Sequence, residues 1–96
     1  MRPSKPAAEM TQAELAAYID YSILKPEFTT ADVEREIRTA VELGCKTVCI
    51  NPAYIETALP LVEGTGTGIC VVIDFPFGTS STRSKVAQAE IALEHP

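Results

Sequence analysis

Apolar positions along the chain keep two different rhythms. Between Thr29 and Gly44 they recur three or four residues apart, at Val33, Ile37, Ala40 and Val41, with charged residues between them, the spacing of an amphipathic helix. Short apolar runs interrupt that rhythm: Asp20 to Leu24, Cys45 to Ile50, and Ile69 to Phe75. The third run is almost continuous, as expected of a strand covered on both faces. Helical spacing returns after the second run at Tyr54, Ile55, Ala58 and Leu59. It returns again after the third, where Val86, Ala89 and Leu93 form a stripe expected to be buried, flanked by Ala87 and Ile91. A short helix is predicted ahead of the first run, with Leu15 and Tyr18 or Ile19 on one side. The order is helix, then three strand–helix pairs, which predicts an α/β chain with parallel strands and right-handed crossovers.

Local chemistry marks the boundaries. Thr11-Gln12-Ala13-Glu14 has the capping-box pattern, with Met10 and Leu15 at the positions of a hydrophobic staple, and the helix is predicted to run to about Tyr18. Lys25-Pro26 ends the first strand, because proline disfavours helical backbone at the residue before it. Thr29 or Thr30 caps the next helix, Asp32 and Glu34 suit its positive end, and Gly44 is placed to close it in left-handed conformation. Asn51 then reads as an N-cap, with Pro52 at the first helical position. Pro60 is predicted to kink or end that helix by removing an amide and crowding the Glu56 carbonyl. Gly64 to Gly68 reads as a flexible connector, and Thr79 to Thr82 offers several caps for the last helix. Residues 1–10 read as a flexible arm and residues 11–96 as one domain segment. On periodicity alone that segment could be an open three-layer fold or part of a barrel whose bottom the first helix plugs.

Composition narrows the partners more than the fold. With 96 residues the chain can hold one small domain, whereas a closed eight-stranded (β/α) barrel takes about 250. Hydrophobic residues make up 46% and charged residues 22%, which argues against disorder. A net charge of −5 gives no electrostatic footprint for nucleic acid or an anionic membrane. A small phosphorylated ligand stays compatible with it, because phosphate is held by local amides and cations. The three cysteines, Cys45, Cys49 and Cys70, follow an amino terminus without an apolar signal region and read as free thiols in a reducing cytoplasm. Cys45 and Cys49 lie roughly 13 Å apart if both are on one strand, too far to share a metal, and His95 has no second histidine to pair with.

Functional groups of parallel α/β folds gather at the carboxyl ends of strands. The candidates there are Asp20 and Ser22, then Cys49 and Asn51, then Asp74 with the Pro76-Phe77-Gly78 loop. Alternation puts Cys45, Thr47, Cys49 and Asn51 on one face of the second strand and leaves Val48 and Ile50 to meet helices. Each candidate also has a structural reading. Asp20 can cap the backbone, Ser22 can be a buried and satisfied hydroxyl, Cys49 can be a small apolar filler, and Asn51 is explained as a cap. Asp74 can end its strand in solvent or cap the following loop. Lys5, Lys25, Lys46 and Lys85 read as surface charges.

Three segments together carry a resemblance. Ile19-Asp20-Tyr21-Ser22-Ile23-Leu24-Lys25-Pro26, Val48-Cys49-Ile50-Asn51-Pro52-Ala53-Tyr54 and Val72-Ile73-Asp74-Phe75-Pro76-Phe77-Gly78 occur in order and at matching spacing. They resemble the deoxyribose-phosphate aldolase family, which reads Ile-Asp-His-Thr-Leu-Leu-Lys-Pro, Val-Cys-Val-Asn-Pro-Ser-Tyr and Val-Ile-Gly-Phe-Pro-Leu-Gly. The resemblance runs from about Leu15 to Glu94. It implies parallel (β/α) units corresponding to the first three strands of a TIM barrel. It also implies a class I aldolase without metal or other cofactor, in which a lysine forms a Schiff base with the donor aldehyde. The implied reaction cleaves 2-deoxyribose 5-phosphate reversibly to acetaldehyde and glyceraldehyde 3-phosphate.

Residue by residue, the resemblance places Asp20, Ser22 and Cys49 on the wall of the substrate pocket, Cys49 as a contact and not as the nucleophile. Departures are Tyr21 for histidine, Phe77 at a position of smaller residues, and Asp74 for glycine or asparagine, a carboxylate that would repel a phosphorylated substrate. The family's Schiff-base lysine, its second lysine and its catalytic aspartate belong to the sixth, seventh and fourth strands, which the resemblance places beyond Pro96. The chain alone is therefore expected to be catalytically incomplete, needing the missing barrel half or a homo-oligomeric partner. Its alternatives are a non-catalytic half-barrel interaction module and another phosphosugar-handling TIM barrel.

Overall fold

Two reciprocal capping boxes start the first two helices. A computed structural model describes residues 3–95; Met1 and Arg2 of the expected arm, and Pro96, lie outside the described residues. Thr11 Oγ1 accepts the Glu14 N–H at 3.2 Å while the Glu14 carboxylate accepts the Thr11 N–H at 3.1 Å, opening α1, Gln12–Ala16. Lys5 pairs with the same Glu14 carboxylate at 2.8 Å. The helix stops earlier than predicted and buries only Ala16, leaving Leu15, Tyr18 and Ile19 exposed. Its five residues make too little of a turn to present a continuous stripe.

Thr29 and Asp32 repeat the box at the head of α2, Thr30–Leu43. Val33, Ile37 and Ala40 are buried as the spacing predicts, and Gly44 closes the helix at φ 79°. A 3-10 turn over Pro52–Tyr54 leads into α3, Ile55–Val62. Asn51 holds the cap position, yet its side chain makes no capping bond. Pro52 has no N–H to satisfy, and the Tyr54 N–H already reaches the Asn51 carbonyl at 3.0 Å. Nor does Pro60 end α3, which continues to Val62. Glu56, whose carbonyl loses its partner, is exposed, so water can serve that carbonyl.

The strands are β1, Asp20–Ser22; β2, Thr47–Ile50; and β3, Gly68–Val71, all parallel in the order β1-β2-β3. Register places Asp20 beside Thr47, Ser22 beside Cys49, and Cys49 beside Cys70. Helices α2 and α3 pack together against one face, where Ile23, Val33, Ile37, Val48 and Ile50 are fully buried. Cys45 joins this core instead of the thiol face, because β2 begins only at Thr47 and strand alternation does not reach back to it. The Thr67 hydroxyl, buried in the connector, donates to the Cys45 carbonyl at 2.8 Å and fixes the entry to β3.

The first and third strands are shorter than predicted, β1 ending at Ser22 and not Leu24, and the last helix is less buried. β3 ends at Val71 and not Phe75: the Val72 N–H still reaches Ile50 at 3.1 Å, but Asp74 takes φ 51° and turns the chain out of the sheet. The final helix α4, Thr82–Ala92, starts on a Ser81 cap and buries none of its residues. Val86, Ile91 and Leu93 are exposed, Leu93 at 81%. A (β/α) helix packs into the groove between its own strand and the next, and among the described residues no fourth strand forms that groove. No helix among the described residues is long and apolar enough to cross a membrane.

Candidate functional site

The face of the sheet opposite α2 and α3 gathers the chemistry. Pleating and register put Asp20, Thr47, Cys49 and Cys70 on that side, with Ser22 at the carboxyl end of β1. The Thr47 hydroxyl donates to Asp20 Oδ1 at 2.5 Å, which fixes the carboxylate against the neighbouring strand. One ligand atom each of Asp20, Cys49 and Cys70 lies within 4.8 Å of the others. Cys49 is buried and Cys70 exposed. Burial, reinforced by the Asp20 charge and by Cys70, pushes the Cys49 thiol up to about 11. A thiol held there is protonated at neutral pH, which suits it to touching a ligand and not to attacking one.

Ser22 stands differently from the reading that buried it. It is exposed, because the three-residue β1 ends there and α2 covers the other face. Tyr21 points the opposite way, beside buried Val48, and its hydroxyl donates to Glu36 Oε1 on α2 at 2.8 Å. That bond raises the Tyr21 phenol above its ordinary value and makes the residue a clasp between strand and helix. The residue departing from the family's histidine is thus directed away from the Asp20–Cys49 face.

Asp74 is engaged by its own loop. Its carboxylate accepts the Ser80 N–H at 2.8 Å, its carbonyl accepts the Gly78 N–H at 2.8 Å, and its N–H donates to Gln88 Oε1 on α4 at 2.8 Å. The nearby Ser80 hydroxyl, the Ser80 N–H and, more weakly, Lys85 hold the carboxyl below the usual aspartate value. The N–H contact is the well-formed one, since Ser80 Oγ is buried without meeting hydrogen-bond geometry to any partner. The loop also carries the cis Phe75–Pro76 bond and an outward-facing Phe77. Of its two readings, Asp74 follows the loop cap and not the strand end. Ser80, expected only among the possible caps of the last helix, and Gln88, not singled out by the sequence, hold it there. Gln88 lies off the Val86–Ala89–Leu93 stripe, so that pattern held no signal for its contact with Asp74.

The wall is open. A cavity of about 640 Å³ lined by Lys5, Met10, Glu14, Tyr18, Cys45 and Lys46 includes none of Asp20, Ser22 and Cys49. Among the described residues the face that carries Asp20, Ser22 and Cys49 is not enclosed by that cavity.

No protein-family model matches the chain. Curated relatives do. Deoxyribose-phosphate aldolase of Dictyoglomus turgidum is 45% identical over 85 residues, covering 88% of this chain and 39% of the relative. That of Rhodospirillum rubrum is 42% identical over 93 residues, covering 97% of this chain and 39% of the relative. Among solved structures, deoxyribose phosphate aldolase from Aeropyrum pernix, described as tetrameric, superposes with a TM-score of 0.79 at 32% identity, covering 88% of this chain and 36% of that one. An aldolase called QR15 gives 0.78 at 32% identity, covering 84% of this chain and 36% of that one. The chain therefore spans about two fifths of the length of the curated relatives it matches. Three parallel strand–helix units, an incomplete sheet and this likeness make the chain a relative of the deoxyribose-phosphate aldolases and its fold the first three strands of a TIM barrel.

Proposed function

We propose that this chain supplies one wall of a deoxyribose-phosphate aldolase pocket, with Asp20, Ser22 and Cys49 as substrate-pocket residues. The observation that carries the reading is the alignment of the family-like segments on adjacent strands. Register sets Asp20 beside Thr47 and Ser22 beside Cys49, in a chain 45% identical to such an aldolase. In the proposed reaction 2-deoxyribose 5-phosphate is cleaved reversibly to acetaldehyde and glyceraldehyde 3-phosphate. The bond-breaking electrons are held by an iminium on a lysine outside the matched residues. Asp20, held by Thr47, anchors the polar network beside that centre, and the protonated Cys49 thiol shapes the wall.

Several features fit this role. The Asp74 charge, engaged by Ser80, is less free to repel a substrate phosphate than an unpaired carboxylate. The exposed apolar side chains of α4 suit a remaining barrel half or a homo-oligomeric partner as cover. Free thiols accord with a cytoplasmic setting.

Incubation with deoxyribose 5-phosphate and borohydride, followed by intact-mass measurement, tests the division of labour. The chain alone should stay unmodified, and activity should appear when the remaining strands of a relative are added. A reduced adduct on one of this chain's own lysines would overturn the claim that the Schiff base forms elsewhere. Absence of activity after productive assembly would favour a non-catalytic interaction module.

A further inference from the structure

Chain spacing separates Cys49 from Cys70 by a whole helix and a connector, and only the sheet reveals their relation. They are register partners on adjacent strands β2 and β3, on the same face, with Asp20 of β1 completing a triangle whose ligand atoms all lie within 4.8 Å. Two sulfurs bound to one tetrahedral ion at 2.3 Å are about 3.8 Å apart, so closing the sulfur–sulfur edge takes about 1 Å at most and each sulfur–oxygen edge only slightly more, within reach of small side-chain rotations. The carboxylate is already oriented, because Thr47 holds Oδ1 at 2.5 Å and leaves the second oxygen available. Among the described residues no basic side chain forms a salt bridge with Asp20 to compete for it.

We propose that Cys49, Cys70 and Asp20 form a binding site for a thiophilic divalent cation of the zinc and cadmium type, with both sulfurs and one carboxylate oxygen as ligands. Two thiolates with one carboxylate make a donor set suited to these ions and poorly suited to magnesium or calcium, which take oxygen ligands. On binding, each thiol passes its proton to solvent and the sulfur forms the metal bond, with no change of oxidation state. The open face leaves the fourth coordination position to water. This ion takes no part in the proposed Schiff-base chemistry, and the inference stands or falls independently of the aldolase reading because it is read from bound metal and not from turnover.

The test is cadmium titration of the reduced chain, followed by thiolate-to-cadmium charge-transfer absorption and by native mass spectrometry. One cadmium per chain is expected, insensitive to millimolar magnesium. Cys70→Ser, at an exposed position that tolerates the change, should abolish the band, and Asp20→Asn should weaken binding at least tenfold. Cys45→Ala, with its far-ultraviolet circular dichroism unchanged, should leave the band intact. An unchanged band in Cys70→Ser, loss of the band in folded Cys45→Ala, or no band in the parent chain would each overturn the site.

Discussion

The same substitution made in two helices tests whether α2 is anchored to the sheet and α4 is not. Ile37 on α2 is 0% exposed, whereas Ile91 on α4 is 59% exposed. Isoleucine to valine removes one methylene in each case, and both residues are β-branched, so the helix-propensity change nearly cancels between the two variants. At Ile37 the loss is the transfer energy of a buried methylene, about 0.8 kcal/mol, with a small cavity term, giving about 1 kcal/mol. At Ile91 less than half of that area was removed from water and solvent fills the gap, giving about 0.3 kcal/mol. With a urea dependence of about 1 kcal/mol per molar, the midpoints should fall by about 1 M for Ile37→Val and about 0.3 M for Ile91→Val. Urea titration monitored by circular dichroism at several chain concentrations reads both values, with equal slopes required for the comparison. Equal shifts, or a larger one at Ile91, would refute the claim that α4 lies against water.

Two further outcomes follow from the loop and the caps. Asp74→Asn keeps a residue that tolerates φ 51° but removes the charge facing Ser80. Because the folded carboxyl is held below its ordinary value, the wild-type advantage should be full above the unfolded aspartate range. It should disappear as pH falls through the lower folded value, so acid titrations of the two proteins should converge; an advantage growing toward low pH would contradict the assignment. Thr29→Ala removes the acceptor of the Asp32 N–H at the head of the fourteen-residue α2 and should cost about 1 kcal/mol in the same urea assay, whereas an unchanged midpoint would show that the box contributes nothing.

Elements specified by local chemistry were legible in the sequence, and those specified by neighbours were not. Helix α2 was readable at both ends and along its stripe, since Thr29, Asp32, Gly44 and the Val33–Ile37–Ala40 spacing act within one element. The α4 stripe had comparable spacing, but burial of Val86 and Leu93 depends on a groove that other strands must build. The run from Ile69 to Phe75 looked like strand throughout because apolar residues do not announce where pairing stops. A left-handed Asp74, held by Ser80 and Gln88, turns the chain away after Val71. For the candidate site, alternation correctly separated Cys49 from Val48 and Ile50, and it failed at Cys45, which precedes the strand. Of the two readings of Ser22, the buried hydroxyl does not hold, because nothing in a chain pattern shows that its strand ends there. The Cys49–Cys70 adjacency exists only through register between strands.

The order of the sheet has a consequence for how such a chain is made. Spatial order follows chain order, β1 then β2 then β3, with Asp20 beside Thr47 and Thr47 beside Gly68. After β1, which waits for β2, each strand leaving the ribosome thus meets a partner synthesised shortly before it. Assembly can proceed vectorially, each new strand and its helix adding to the edge left by the last. Growth by addition to an edge also means that, among the described strands, each stage presents two unpaired edges to the cell, that of β1 and that of the newest strand.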